Sequence, residues 1–169
     1  MEQSLNKKFE FKEKIKYFLK DNKFKIIFLS VIILLAVAIL FYLEEIENKE
    51  NLFISEKYIK ARLLYSANDK EAAKKNYEEI ILIKNNFYSP LALNSILEKN
   101  LEDNKKKIID YFLLLENLKF SPEANDLILL KKALYLIKIN ELENGEMILK
   151  DLVEKESSLK FIAQEFIKK

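Results

Sequence analysis

The chain has 169 residues and a mass of 20.1 kDa, enough for about one domain, and its net charge of +2 comes from 29 Lys+Arg against 27 Asp+Glu and selects no partner. One Gly and two Pro, where average usage gives roughly twelve and eight, exclude a turn-rich β-sandwich or barrel. With no Cys and no His, the usual zinc sites, disulfides, thiol nucleophiles and a general base poised near neutrality are missing, and most enzyme classes leave with them.

Residues 1–25 form a basic leader. Residues 26–43 follow as IIFLSVIILLAVAILFYL, eighteen residues without a charge. At about 1.5 Å per residue the run covers roughly 27 Å, and Phe24 with a snorkelling Lys25 brings it to the length a bilayer core requires. It reads as an uncleaved transmembrane helix. The small-residue triplet Ala36-Val37-Ala38 lies inside the apolar run and follows a leader longer than a signal peptide needs. Phe41 and Tyr42 suit the aromatic belt at the far interface. Lys12, Lys14, Lys16, Lys20, Lys23 and Lys25 precede the span, whereas Lys49 and Lys57 follow it among five Glu. Lysine is retained on the cytoplasmic side, so the leader is expected in the cytoplasm and residues 44–169 outside it. The leader carries eight Lys and four acids, a net of +4, and residues 44–169 carry 21 basic and 23 acidic residues, a net of −2. Phe9, Phe11, Ile15, Phe18 and Leu19 interleaved with lysines allow either an amphipathic helix on anionic lipid or a solvated topology signal.

Beyond the span, apolar residues recur at three and four, as in Leu52/Ile59/Leu63, Ala73/Tyr77/Ile80, Leu93/Leu97/Leu101, Ile108/Phe112/Leu115, Leu127/Leu130/Leu134/Ile137 and Leu159/Ile162/Phe166. Ser89-Pro90 and Ser121-Pro122 read as caps followed by a first-turn proline, and Asn68-Asp69, Asp103-Asn104 and Asn144-Gly145 as turns. The expected fold class is all-α, a transmembrane helix followed by about seven helices near 49–66, 69–85, 90–101, 104–118, 122–140, 145–154 and 157–168. The last is expected to cap the stack through Leu159, Ile162 and Phe166.

The break signals repeat with a two-helix period of about 34 residues, the length of a tetratricopeptide repeat. The stretch ISEKYIKARLLYSANDKEAAKKNYEEII, residues 54–81, is similar to one such repeat. Ala61 matches the small residue of the first helix, Asn68-Asp69 the turn, Ala73 the small residue at the helix crossing and Tyr77 the aromatic that follows. The later units depart from the pattern. Ile108 stands where a small residue belongs, Phe112 keeps the aromatic, and the unit ending NELENGEMILKDLV keeps length and periodicity. A lysine-rich leader, one span ending in Tyr and acids, and about three irregular repeats together resemble the proteobacterial single-span tetratricopeptide-like proteins typified by the ancillary subunit of the Sec translocon. That resemblance implies an α-solenoid in the periplasm, anchorage in the inner membrane, association with Sec translocon subunits and periplasmic folding factors, and a chaperone-like role toward exported polypeptides.

No catalytic or cofactor constellation is visible: there is no His for a triad, one Gly cannot cradle a phosphate, and acid pairs such as Glu78/Glu79 read as solvated helix faces. Lysine clusters at 105–107 and 131–132 alternate with acids in a segment of net negative charge, which argues against nucleic acid. The chain therefore reads as a binding protein rather than an enzyme. Tyr58, Arg62 and Tyr65 fall at i, i+4 and i+7, on a face displaced from an expected Ile59/Leu63 core stripe, where two aromatics and the sole Arg suit a peptide. Lys132 and Tyr135 occupy a comparable face of the third unit. The alternative for these five residues is packing against a neighbouring helix, with Arg62 in a surface ion pair. Two rival functions share the architecture: an anchored scaffold for envelope assembly, and a structural module whose helices form a homo-oligomer.

Overall fold

The computed structural model describes residue 16 and residues 19–167. Of the leader's apolar residues, Phe9, Phe11, Ile15 and Phe18 lie outside the described residues. From Lys23 onward seven helices follow one another: α1 Lys23–Ser66, α2 Lys70–Ile83, α3 Tyr88–Glu98, α4 Lys105–Glu116, α5 Pro122–Lys138, α6 Leu142–Glu154 and α7 Lys160–Ile167. The chain divides into two compact units, Met1–Asn51 and Leu52–Lys169.

In the first unit α1 carries the apolar run, and none of its most apolar 18-residue stretch is buried within the protein. A core helix of that composition would have its side chains covered by its neighbours, whereas Phe28, Leu34 and Leu40 are each about two-thirds exposed. This helix is long and apolar enough to cross a membrane. The Ser30 hydroxyl, in the middle of the run's first half, donates to the Ile27 carbonyl at 2.8 Å, so the helix satisfies that group itself. The expected break between a span at 26–43 and a helix at 49 is absent. No Gly or Pro separates them, Glu and Lys are good helix formers, and Lys49 pairs with Glu45 one turn back at 3.1 Å.

In the second unit the helix starts are set by side-chain caps. Asp69, Asn104 and Ser121 accept the backbone N–H groups of Ala72, Lys107 and Ala124 at 3.1, 3.2 and 3.3 Å, and Pro122 opens α5. Ser89 does not cap α3. That helix begins at Tyr88, Asn85 Oδ1 accepts the N–H groups of Phe87 and Tyr88, and the buried Ser89 hydroxyl instead donates to the Ile80 carbonyl at 2.8 Å, tying α3 to α2. With glycine almost absent, the chain reverses through asparagine: Asn68, Asn100 and Asn140 take positive φ, joined by Lys84 and Glu156. Asn tolerates this left-handed region because its short side chain costs little there.

Two hydrophobic clusters form the core. The larger gathers Ile54, Ala61, Ala73, Tyr77, Ile80, Ile96 and Phe112 with their neighbours from the last turns of α1 through α5, and the smaller joins Leu130 and Ala133 of α5 to Leu149, Leu152 and Ala163. The covered face of α7 is Leu159, Ala163 and Ile167. The expected stripe of Leu159, Ile162 and Phe166 is thus rotated by one position, leaving Ile162 and Phe166 exposed by 45% and 38%. Asp126, buried at the start of α5, accepts from the Ser157 hydroxyl at 2.5 Å and pairs with Lys155 at 2.8 Å, fastening the link before α7.

Asn144-Gly145 is not a turn. Gly145 lies buried in α6, where a Cβ would stand 2.7 Å from Ile137 Cγ1 and 2.8 Å from the Ala133 carbonyl oxygen. The helices can cross this closely only because the side chain is missing. Helix propensity favours Ala over Gly by about 1 kcal/mol, but overpacking against backbone costs about 1–3 kcal/mol. Gly145→Ala is therefore expected to destabilise the protein by about 1 kcal/mol, read as a lower urea midpoint by circular dichroism, where an exposed helical Gly→Ala would raise it.

A charged cluster fastens α2 to α4. The Glu102 carboxylate, 7% exposed, pairs with Lys74 at 3.0 Å and Lys107 at 3.2 Å, and Lys107 also meets Glu78 at 2.6 Å. Burial alone would raise the Glu102 carboxyl, but the Asn104 N–H and the two ammonium groups outweigh it and hold it at about 2. Burial beside Glu78 pushes the Tyr111 hydroxyl up to about 12. A carboxyl with a depressed folded-state value stabilises above its unfolded value and loses that contribution as pH falls toward the folded one. Stability is expected to drop by about 2 kcal/mol between about pH 5 and pH 2, after discounting the partly exposed lysines. Asp126, also held low by Lys155 and Ser157 against the opposing effect of burial, adds to the loss. Urea midpoints across that range test this, and Glu102→Gln should flatten the profile while lowering stability at neutral pH.

Candidate functional site

The α1 face turned inward is Ile54, Tyr58, Ala61 and Tyr65, while Ile59 and Leu63 are 54% and 65% exposed, so the expected Ile59/Leu63 core stripe is corrected. Apolar spacing supports either face. The inner one wins because Ala61 lets the neighbouring helix approach and because the Tyr58 hydroxyl finds Ser95 Oγ at 2.9 Å on α3. The Tyr58 ring meets Tyr77 edge-on at 5.5 Å and lies 6.2 Å from Tyr88. Behind it the buried Tyr77 hydroxyl sits near Ser95 without a well-formed hydrogen bond, and its own burial raises its pKa. Tyr65, half-buried, carries Lys99 Nζ 5.1 Å from its ring centre. Arg62 is exposed and forms no ion pair with the described residues. Tyr58 and Tyr65 therefore face α3, with Arg62 at their margin.

Lys132 and Tyr135 are occupied differently. Lys132 pairs with Glu116 of α4 at 2.7 Å and keeps only 13% of its side chain exposed. The Tyr135 ring lies 6.0 Å from Phe112, and burial raises its hydroxyl pKa, with Glu102 and Glu141 adding to the effect. Tyr135 also lines a shallow cavity with Asn100, Glu102 and Lys138. Among the described residues no hydrogen bond, ion pair or ring contact joins the Tyr58/Arg62/Tyr65 group to the Lys132/Tyr135 group.

A second surface was not legible in the sequence. Between α3 and α5 lies an apolar cavity of about 200 Å³ floored by Leu93, Phe112 and Leu115. Pro90 and Phe87 form one wall, Phe120 and Leu127 the other, and its polar margin is Asn86, Asn94 and Lys131. Lys131 Nζ donates to Asn94 Oδ1 at 2.7 Å, and Asn94 Nδ2 donates to Glu98 Oε1 at 2.6 Å. The sequence placed Leu127 in a core stripe with Leu130, yet Leu127 is 45% exposed at the rim.

Among the described residues no group of three or more acids is placed to hold a metal ion. The arrangement offers apolar area and ring faces, with Arg62 and Lys131 at the margins. No protein-family model, no curated protein and no solved structure matches this chain.

Proposed function

We propose that the protein is a polypeptide-binding module anchored in the bacterial inner membrane by residues 26–43, with a tetratricopeptide-like helical domain in the periplasm, acting beside the Sec translocon in a chaperone-like way toward exported chains. The observation that carries this reading is the open apolar groove between α3 and α5, built on paired helices. A solenoid of helix pairs presents such grooves between successive first helices. Two pairs of small buried residues separated by twelve positions, Ala61 with Ala73 and Ala133 with Gly145, support the repeat reading, and in the second pair Gly145 packs directly against the Ala133 carbonyl. The second pair is the sign of the repeat that the degenerate third unit retains. The lysine asymmetry about the span supports the orientation.

Photocrosslinking in cells from Arg62 and Leu127, both exposed, tests the reading. Translocon subunits, periplasmic folding factors and nascent exported chains are the expected products. Recovery of wall-synthesis or division proteins alone would replace it with the envelope-scaffold reading. A second reading, self-association, is favoured by Leu52, Ile59 and Leu63, which form an exposed apolar ridge on α1. The chain has no cysteine, so Ile59→Cys with an oxidant reports a symmetric contact directly: a disulfide-linked dimer in membranes supports self-association, and a monomer contradicts it.

A further inference from the structure

We infer that the groove between α3 and α5 accepts one large apolar side chain of an extended polypeptide and that Lys131 reads an acidic residue next to it. The inference rests on the polypeptide-binding reading above and narrows its substrate class to segments pairing a Phe, Leu or Met with Asp or Glu. Size sets the first half: about 200 Å³ falls below the roughly 300–1,000 Å³ of sites for whole small molecules or cofactors and suits a single side chain. The exposed Phe87 and Leu127 at the rim extend the apolar contact.

Charge sets the second half. The cavity lining contains no acid. Lys131 is half-buried and its hydrogen-bond partner is the neutral amide of Asn94, so it forms no direct ion pair with the described residues. The lysines on the α2–α4 side of the domain differ in this respect, since Lys74 and Lys107 are both paired with carboxylates. Glu98 stands one amide away and holds Asn94, which keeps the Asn94 oxygen turned to Lys131. A carboxylate arriving at the rim meets an ammonium already positioned, and a lysine arriving there meets repulsion.

The test uses the full chain in phosphatidylcholine nanodiscs, empty nanodiscs as reference, and fluorescent Gly/Ser peptides carrying a central Phe-Glu, Ala-Glu, Phe-Gln or Phe-Lys. Anisotropy is expected to show saturable binding of Phe-Glu, weakened about tenfold by Phe→Ala and about tenfold or more by Glu→Lys. Lys131→Gln should bring the Phe-Glu to Phe-Gln affinity ratio close to one, and the uncharged Leu127→Gln should weaken all Phe peptides, with Leu127→Ala as the milder variant if helicity falls. Equal binding of all four peptides, an unchanged ratio in Lys131→Gln, or no binding beyond that of empty nanodiscs overturns the inference. Peptide discrimination without translocon crosslinks leaves this inference and removes the translocon, whereas translocon crosslinks without discrimination do the reverse.

Discussion

Arginines in place of Leu34 and Val37 are expected to release the chain from the membrane. Fourteen of residues 26–43 are Leu, Ile, Phe or Val, each favouring insertion by about 0.3–0.6 kcal/mol, for about 4–8 kcal/mol in all. Each central arginine opposes insertion by about 2.5–3.5 kcal/mol, and two apolar contributions disappear with the residues replaced. The balance falls to near zero or reverses. Neither position lies near an end of the run, so a snorkelling side chain reaches water poorly from either. Carbonate extraction of membranes is the measurement: the wild-type chain should stay in the pellet and the double variant should move to the supernatant. A double variant that still resists extraction would mean that something other than the apolar run holds the protein.

Phe112→Ala is expected to cost about 3–5 kcal/mol of the stability of the helical domain, the range for truncating a buried aromatic. Phe112 is 1% exposed, joins the larger core cluster, neighbours the Tyr135 ring and floors the α3–α5 groove. Its removal enlarges an existing cavity, and the walls can close only by moving α5, which the smaller cluster also holds through Leu130 and Ala133. Against a typical total of 5–15 kcal/mol, such a loss lowers the urea midpoint strongly while leaving the slope of the transition unchanged. A loss below about 1 kcal/mol would show that the groove collapses easily, and the same flexibility would undercut a preformed side-chain pocket.

Features dictated by short-range chemistry could be read from the chain alone. The apolar run needs no partner to be recognised, and the Asn68-Asp69 and Asp103-Asn104 turn signals and the Ser121 cap fall at helix starts, where Asp69, Asn104 and Ser121 accept N–H groups three residues on, whereas Ser89, which reads as a cap, bonds Ile80 instead. Helix phase could not be read this way. On α1 the sets Ile54/Tyr58/Ala61/Tyr65 and Leu52/Ile59/Leu63 are both periodic, and the choice between them was made by Ser95, thirty-seven residues beyond Tyr58. Leu127 and the Ile162/Phe166 pair read as buried for the same reason, since a repeat in apolar residues gives a period and not an orientation. Gly145 reads as a turn because Asn-Gly is the commonest turn signal, yet its place was decided by the Ala133 carbonyl against which it packs. The α3–α5 groove is the furthest from the sequence, because its walls come from three helices whose register no local pattern encodes.

The placement of the helical domain outside the cytosol is tested most directly by its accessibility to a membrane-impermeant maleimide in spheroplasts, using single cysteines in a chain that has none. Cysteine at Ser66, exposed at the end of α1, should be labelled at once, and cysteine at Lys16, before the apolar run, only after the membrane is permeabilised. Labelling of Lys16→Cys in intact spheroplasts with protection of Ser66→Cys, or recovery of the unmodified chain in the soluble fraction, would contradict an exported binding domain on a membrane anchor.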